Sequence, residues 1–159
     1  MSSTLDFCGA CSRYATGIAV ITVLDPEGVA HGMTANSFTS VSLHPPLILV
    51  CVDHAAAILA HFRAGSHMGI NVLSESQQHL SAHFARPGDN RFGKVEWYPG
   101  ETGIPLLPLV LATFECSIVN AVESGDHTIF ICEVRHAWSG DGNPLLYFNR
   151  GYRTIGGSL

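Results

Sequence analysis

Apolar residues in this chain gather in short runs rich in β-branched side chains, each closed by Gly, Pro, Asn, Asp or Ser. IAVITVL (18–24) and LILVCV (47–52) are almost unbroken, the pattern of strands buried on both faces. DPEG (25–28) sets Pro at the favoured second place of a turn, so 29–33 should return as a hairpin partner. Residues 67–73 are strand-like. Residues 111–122 alternate, with Ala112, Phe114, Cys116, Ile118 and Val122 on one face and Thr113, Glu115 and Ser117 on the other. That predicts a half-buried antiparallel strand. ESGD (123–126) then turns the chain into the strand HTIFICEVRHAW, and 145–148 makes a last short strand.

Helices are few. Residues 5–15 predict a leading helix closed by Gly17, and the alanine-rich 55–63 a short helix ended by Gly65. Ser74 with Gln77 three residues on matches a capping box, opening a helix to about Phe84. Residues 86–108 read as a long loop carrying Arg86, Arg91 and Lys94. Strands dominate and hairpins recur, which predicts a mainly β (α+β) barrel-like domain rather than alternating βαβ units. No repeat or linker interrupts the chain, so residues 1–159 are expected to form one domain.

One stretch departs from this pattern. HGMTANSFTSVSLHPP (31–46) lies between two buried runs, yet carries Thr34, Asn36, Ser37, Thr39, Ser40 and Ser42 within nine residues. Local side chain to backbone bonds would account for one or two of these. The density fits better a wall for a flat, neutral, acceptor-rich ligand, bonded by hydroxyls and backbone N–H groups. The prolines at 45 and 46 are expected to break any element there.

Composition narrows the classes. The chain is 47% hydrophobic and 13% charged, compact and apolar enough to suggest that a second subunit covers part of its surface. A net charge of −5 with eight Lys and Arg argues against nucleic acid. No apolar run reaches the roughly 20 residues of a membrane span. With no secretory signal read at the start, a cytoplasmic protein is expected. Cys51, Cys116 and Cys132 lie in apolar runs and read as small buried hydrophobes. Cys8 and Cys11 have C-x-x-C spacing but no second ligand pair, so they read as ordinary thiols on the first helix. Of nine histidines only His79 and His83 share i, i+4 spacing on a predicted helix, without a nearby carboxylate, and no metal is expected. G-x-S-x-G, H-E-x-x-H, P-loop and G-x-G-x-x-G signatures are absent.

The motifs RYATGIAVIT, GMTANSFTSVSLHPPLILVCVD, GINVLSESQQHLSAHFA, GDNRF and GDHTIFICEV, in this order from about Phe7 to Ile155, resemble the flavin reductase-like, FMN-binding split-barrel family. The resemblance implies a homodimeric Greek-key split β-barrel with FMN or FAD along the 31–42 segment. Met33, Thr34, Ala35, Asn36 and Ser37 would line the ring and ribityl chain, with Ser40, Val41 and Ser42 continuing along it. Cys51, Val52, Asp53 and Ala57 would contribute from the next strand and turn. Phe84, Ala85, Arg86, Arg91 and Phe92 would close the phosphate end. His127 resembles the family histidine on the nicotinamide side, and Tyr147, Arg150 and Tyr152 the C-terminal border. The chain departs from relatives at His44, at His54 to Ala57, where hydroxyl or basic residues are common, and in the loosely matching YFNRGYRTI.

Residue chemistry leaves alternatives beside these roles. Arg86, Arg91 and Lys94 suit a phosphate, and equally a solvated basic loop. His127 suits a nicotinamide contact, and also an ordinary sheet histidine. The function implied is an NAD(P)H:flavin oxidoreductase of EC 1.5.1 type, with NADH or NADPH as reductant, passing reduced flavin to a separate oxygenase. Such chemistry needs no catalytic acid or nucleophile from the protein. A flavin carrier or sensor without turnover, or a flavoenzyme with another small redox substrate, are the alternatives.

Overall fold

The computed structural model describes residues 6–88 and 90–156. Leu5, the expected start of the first helix, and Asp89 of the GDNRF motif lie outside the described residues.

The first helix, α1 (Phe7–Cys11), is shorter than 5–15. Asp6 caps it by accepting from the Gly9 N–H, and Ser12 ends it by donating its hydroxyl to the Gly9 carbonyl. The strands follow as β1 (Thr16–Gly17), β2 (Ala19–Leu24), β3 (Ala30–Ala35), β4 (Thr39–Leu43), β5 (Pro46–Asp53) and β6 (His67–Val72). After α2 (Gln78–Ala85) come β7 (Tyr98–Pro99), β8 (Pro105–Leu106), β9 (Ala112–Ser124), β10 (His127–Ser139), β11 (Leu146–Phe148) and β12 (Gly151–Arg153). The capping box forms as expected, Ser74 and Gln77 bracketing a 3₁₀ turn ahead of α2. The alanine-rich segment is one short 3₁₀ helix, Ala57–His61.

Seven strands make one antiparallel sheet in the order β3-β2-β6-β9-β10-β5-β4. β3 and β4 are consecutive in sequence yet stand at opposite edges. Only residues 36–38 join them, and four Cα steps span at most about 14 Å. The sheet therefore curls until its edges nearly meet. Ser37 fastens the seam, donating to the Cys51 carbonyl and accepting from the Cys51 N–H at 3.0 Å each. Inside the curl Ile21, Val50, Val52, Met68, Ile70, Ile118 and Phe130 share one core.

Of the two prolines, Pro45 breaks the chain as expected, while Pro46 lies within the next strand. His44 and Pro45 form the turn, and Pro46 opens β5 opposite Leu43. As the first residue of its strand, Pro46 occupies a place where a missing N–H is tolerated.

A second core of Ile18, Val20, Leu73, Phe84, Leu107, Val110 and Leu145 lies outside the curl, under α2 and the 86–111 segment. β2 is thus buried on both faces, which is why its sequence is unbroken. The same covering corrects the expectation for β9: Thr113 and Glu115 are buried at 5% and 4% exposure rather than facing solvent. Glu115 accepts from the Glu101 and Thr102 N–H groups and the Thr102 hydroxyl. Thr22 donates to the Pro105 carbonyl, while Asn71 accepts from Leu107 N–H and donates to Val20. These polar side chains hook the loop to the sheet. Val122, expected on the buried face, is exposed: Val119 is an extra residue in the register with β10, so beyond it the alternation flips and Val122 stands opposite Ile129 on the face away from the inner core.

β1, β11 and β12 form a small separate sheet. β12 was not foreseen; Asn149 and Arg150, at φ 50° and 61°, make the tight turn that returns it. No helix among the described residues is long and apolar enough to cross a membrane.

Candidate functional site

The polar stretch ends up at the seam. Its first half completes β3, its middle crosses between the sheet's edges, and its second half is edge strand β4. α2 packs across β3, and Gly32 makes that possible. A Cβ there would lie 2.8 Å from the buried Phe84 ring and 3.0 Å from Phe92.

Between β3, the 55–58 turn and the C-terminal end of α2 opens a chamber of about 420 Å³. Met33, Thr34, Ala57, Phe84, Ala85 and Arg91 line it, with His31, His61 and Asn90. A second chamber of about 260 Å³ is lined by Ile18, Thr34, Ala35, Asn36, Ser81, Ala85, Tyr147 and Tyr152. The two share Thr34 and Ala85, so they form one cleft in two lobes. Walls of Gly and Ala leave the backbone open to a flat ligand, and tyrosines border one end. This size and donor set fit a flavin.

Much of the hydroxyl inventory is already engaged. Thr34 donates to the Ser81 carbonyl at 2.7 Å, and Ser81 and Tyr152 hydroxyls are 3.0 Å apart. Asp53 accepts from the Ala55 N–H, shaping the turn beside the larger lobe. Arg91 donates to the carbonyls of Gly32, Phe84 and Gly88, so its guanidinium ties the loop to β3 and α2.

The remaining sequence-expected residues divide by place. Ser40, Val41 and Ser42 lie on the outer edge strand, where Val41 is the extra residue of a bulge against β5. The Val52 side chain is in the inner core and Phe92 in the outer one, where it packs on Phe84. Cys51 is half-buried on the outer face of β5, whereas Cys116 and Cys132 are fully buried. Burial pushes both core thiols up, Cys132 to about 12, which leaves them inert. Arg86 is exposed at the end of α2. Arg150 lines a different groove, against α1 with Arg13. His127 pairs with Asp53 in the β5–β10 register, outside both lobes, and its Nδ1 lies 2.7 Å from Asp126. That hydrogen bond holds the Asp126 carboxyl below the usual carboxylate range.

Two cleft residues escaped sequence reasoning. His31 and His61 stack with ring centroids 3.9 Å apart, and His31 Nε2 is 2.9 Å from Asp25 Oδ2. The His31 bond, with the Val29 and Glu27 N–H groups, lowers the Asp25 pKa. Burial, then the neighbouring His31, lowers that of His61. Separations of 6 and 30 residues match no ligand motif; only the packing of the 3₁₀ helix on β3 joins them.

Known proteins agree with this architecture. The chain is 44% identical over 143 residues to the stachydrine N-demethylase reductase subunit Stc3 of Rhizobium meliloti, covering 90% of this chain and 62% of that one. Against a probable flavin reductase of the same organism it is 43% identical, covering 91% of this chain and 47% of the relative. It thus spans about half to three-fifths of the length of these two relatives. The structure of the NADH:FAD oxidoreductase SgcE6 of Streptomyces globisporus superposes with a TM-score of 0.91 at 36% identity, covering 98% of this chain and 94% of that one. The family model described as "Flavin reductase like domain" matches residues 11–156. A seamed antiparallel barrel, a two-lobed cleft along its polar strand and this match over nearly the whole chain place the protein in the flavin reductase-like family.

Proposed function

We propose that the protein is an NAD(P)H:flavin oxidoreductase, of EC 1.5.1 type, that reduces FMN or FAD and supplies reduced flavin to a separate oxygenase. The observation that carries this is the continuous cleft at the barrel seam, walled by small residues that leave the backbone open to a flat ring. Relatives named as NADH-dependent flavin reductases and as reductase components of monooxygenases support it, and favour NADH as reductant. A bound flavin supplies the hydride-accepting ring, so the protein's part is binding and orientation.

On this reading Met33, Thr34, Ala35, Asn36, Ala57, Phe84 and Ala85 hold the flavin. Ser37 keeps the seam closed behind it, and Tyr147 and Tyr152 border the smaller lobe. Arg91 shapes the wall through its carbonyl bonds, Arg86, exposed at the end of α2, offers a cation to a phosphate, and His127 meets the nicotinamide. With Arg91 committed to the backbone, flavin is held loosely enough to exchange. A single domain over 1–159, a homodimer and a cytoplasmic location complete the proposal.

The test is NADH and NADPH oxidation by the purified chain, with and without added FMN or FAD. Flavin-dependent oxidation with at least one pair is expected. None with any pair overturns the proposal, and flavin that co-purifies but is not reduced points to a carrier instead.

A further inference from the structure

We propose that Asp25, His31 and His61 form a binding site for a divalent ion of the zinc class on the wall of the larger lobe. One ligand atom from each residue lies within 4.8 Å of the other two, and all three side chains are partly buried. They come from three separate places: the β2–β3 turn, β3 itself and the 3₁₀ helix Ala57–His61.

The carboxylate is already oriented. Asp25 Oδ1 accepts from the Glu27 and Val29 N–H groups at 3.0 and 2.8 Å, which leaves Oδ2 directed at His31. Such outer bonds are the support that metal-binding carboxylates have. The Asp25–His31 contact by itself would serve as a clasp on the hairpin. It does not account for His61, whose ring stacks on His31 yet has no hydrogen-bond partner among the described residues. Two imidazoles and one carboxylate suit zinc-class ions over magnesium or calcium, which prefer all-oxygen shells.

A tetrahedral ion with bonds of about 2.0–2.1 Å needs ligand atoms about 3.4 Å apart. Reaching this from the observed spacing requires the stacked imidazoles to turn toward one point, the His31 Nε2 proton passing to solvent as the ion enters. Three protein ligands leave a fourth position, and because His31 and His61 line the lobe it opens into the cleft. The site stands whether or not the cleft takes a flavin.

Equilibrium dialysis of the metal-stripped full chain against micromolar Zn²⁺ tests it. One ion per chain is expected, with at least about tenfold weaker binding in His61→Phe and Asp25→Asn. His61→Phe keeps a ring on His31, and Asp25→Asn keeps the Oδ1 acceptor; circular dichroism checks both folds. The double variant Cys8→Ser, Cys11→Ser should bind as the parent does. No stoichiometric zinc, or unchanged binding in His61→Phe, overturns the proposal, the latter moving the ion to the cysteine pair or to His79 and His83. Cobalt(II) in the unaltered chain reads the site directly. Tetrahedral nitrogen and oxygen bands support it, and thiolate-to-cobalt charge transfer or six-coordinate bands overturn it.

Discussion

Glu115 shows how much a single residue can carry in this fold. Its position in an alternating strand reads as solvent-facing, yet its buried carboxylate holds the 100–102 segment through three hydrogen bonds. Gly100 presses so close that a Cβ would lie 2.5 Å from that carboxylate. Burial raises the Glu115 pKa, but the bonds from the Thr102 hydroxyl and the Thr102 and Glu101 N–H groups outweigh it, and the net direction is down. A depressed carboxyl stabilises the fold fully above its unfolded value. That contribution is lost as pH falls through the lower folded value. Glu115→Gln should therefore cost about 2 kcal/mol at neutral pH, because an amide places N–H groups against N–H donors. In chemical denaturation, the gap between parent and variant should shrink as pH drops below the 4.5 of an ordinary glutamate. A gap independent of pH would contradict this account. The alternation of 111–118 was legible; the burial of its polar face was not, because it depends on how the irregular 86–111 segment folds back over the strand, which no local period encodes.

At the scale of elements, the contact between β3 and α2 sets the shape of the cleft. Capping box, helix and hairpin were readable in sequence, since each rests on residues within a few positions of one another. How the helix meets the strand was not readable. It depends on Phe84 and Phe92 lying on the bare backbone of Gly32. Gly32→Ala must push those rings away, and both are packed in the outer core, so about 1–3 kcal/mol of stability should be lost. α2 also carries Ala85, which both lobes share, so the variant should bind FMN more weakly by titration. Unchanged stability together with unchanged flavin affinity would show that α2 does not set the cleft. The polarity of the 31–42 stretch was legible for a related reason, but its use was not: Thr34 and Ser37 spend their hydroxyls on the fold itself.

For the whole molecule, the outer face of β5, β10 and β9 is the surface that one chain leaves unfinished. Register aligns Cys51 with Ile129 and Val122, and Leu49 with Ile131, all on the face away from the inner core. Val122 is 41% exposed and the other four are only half-buried. We infer that a second copy covers this face, in keeping with the apolar composition. Sedimentation equilibrium should give twice the 17.0 kDa chain mass, and Val122→Glu should shift it toward one. A parent protein at single mass in micromolar solution would refute the dimer.

Periods of two, turn residues and helix caps were settled along the chain itself, because they arise from neighbours in sequence. So was the unusual polarity of residues 31–42 between two buried runs; that 31–36 border the cleft while 40–42 lie on the outer edge strand was not. The closure of the seam, the burial of Thr113 and Glu115, the separation of Arg150 from the cleft and the meeting of Asp25, His31 and His61 belong to the folded molecule alone. Each depends on which distant surfaces pack together, and that follows from the summed burial of the whole sheet rather than from any local pattern.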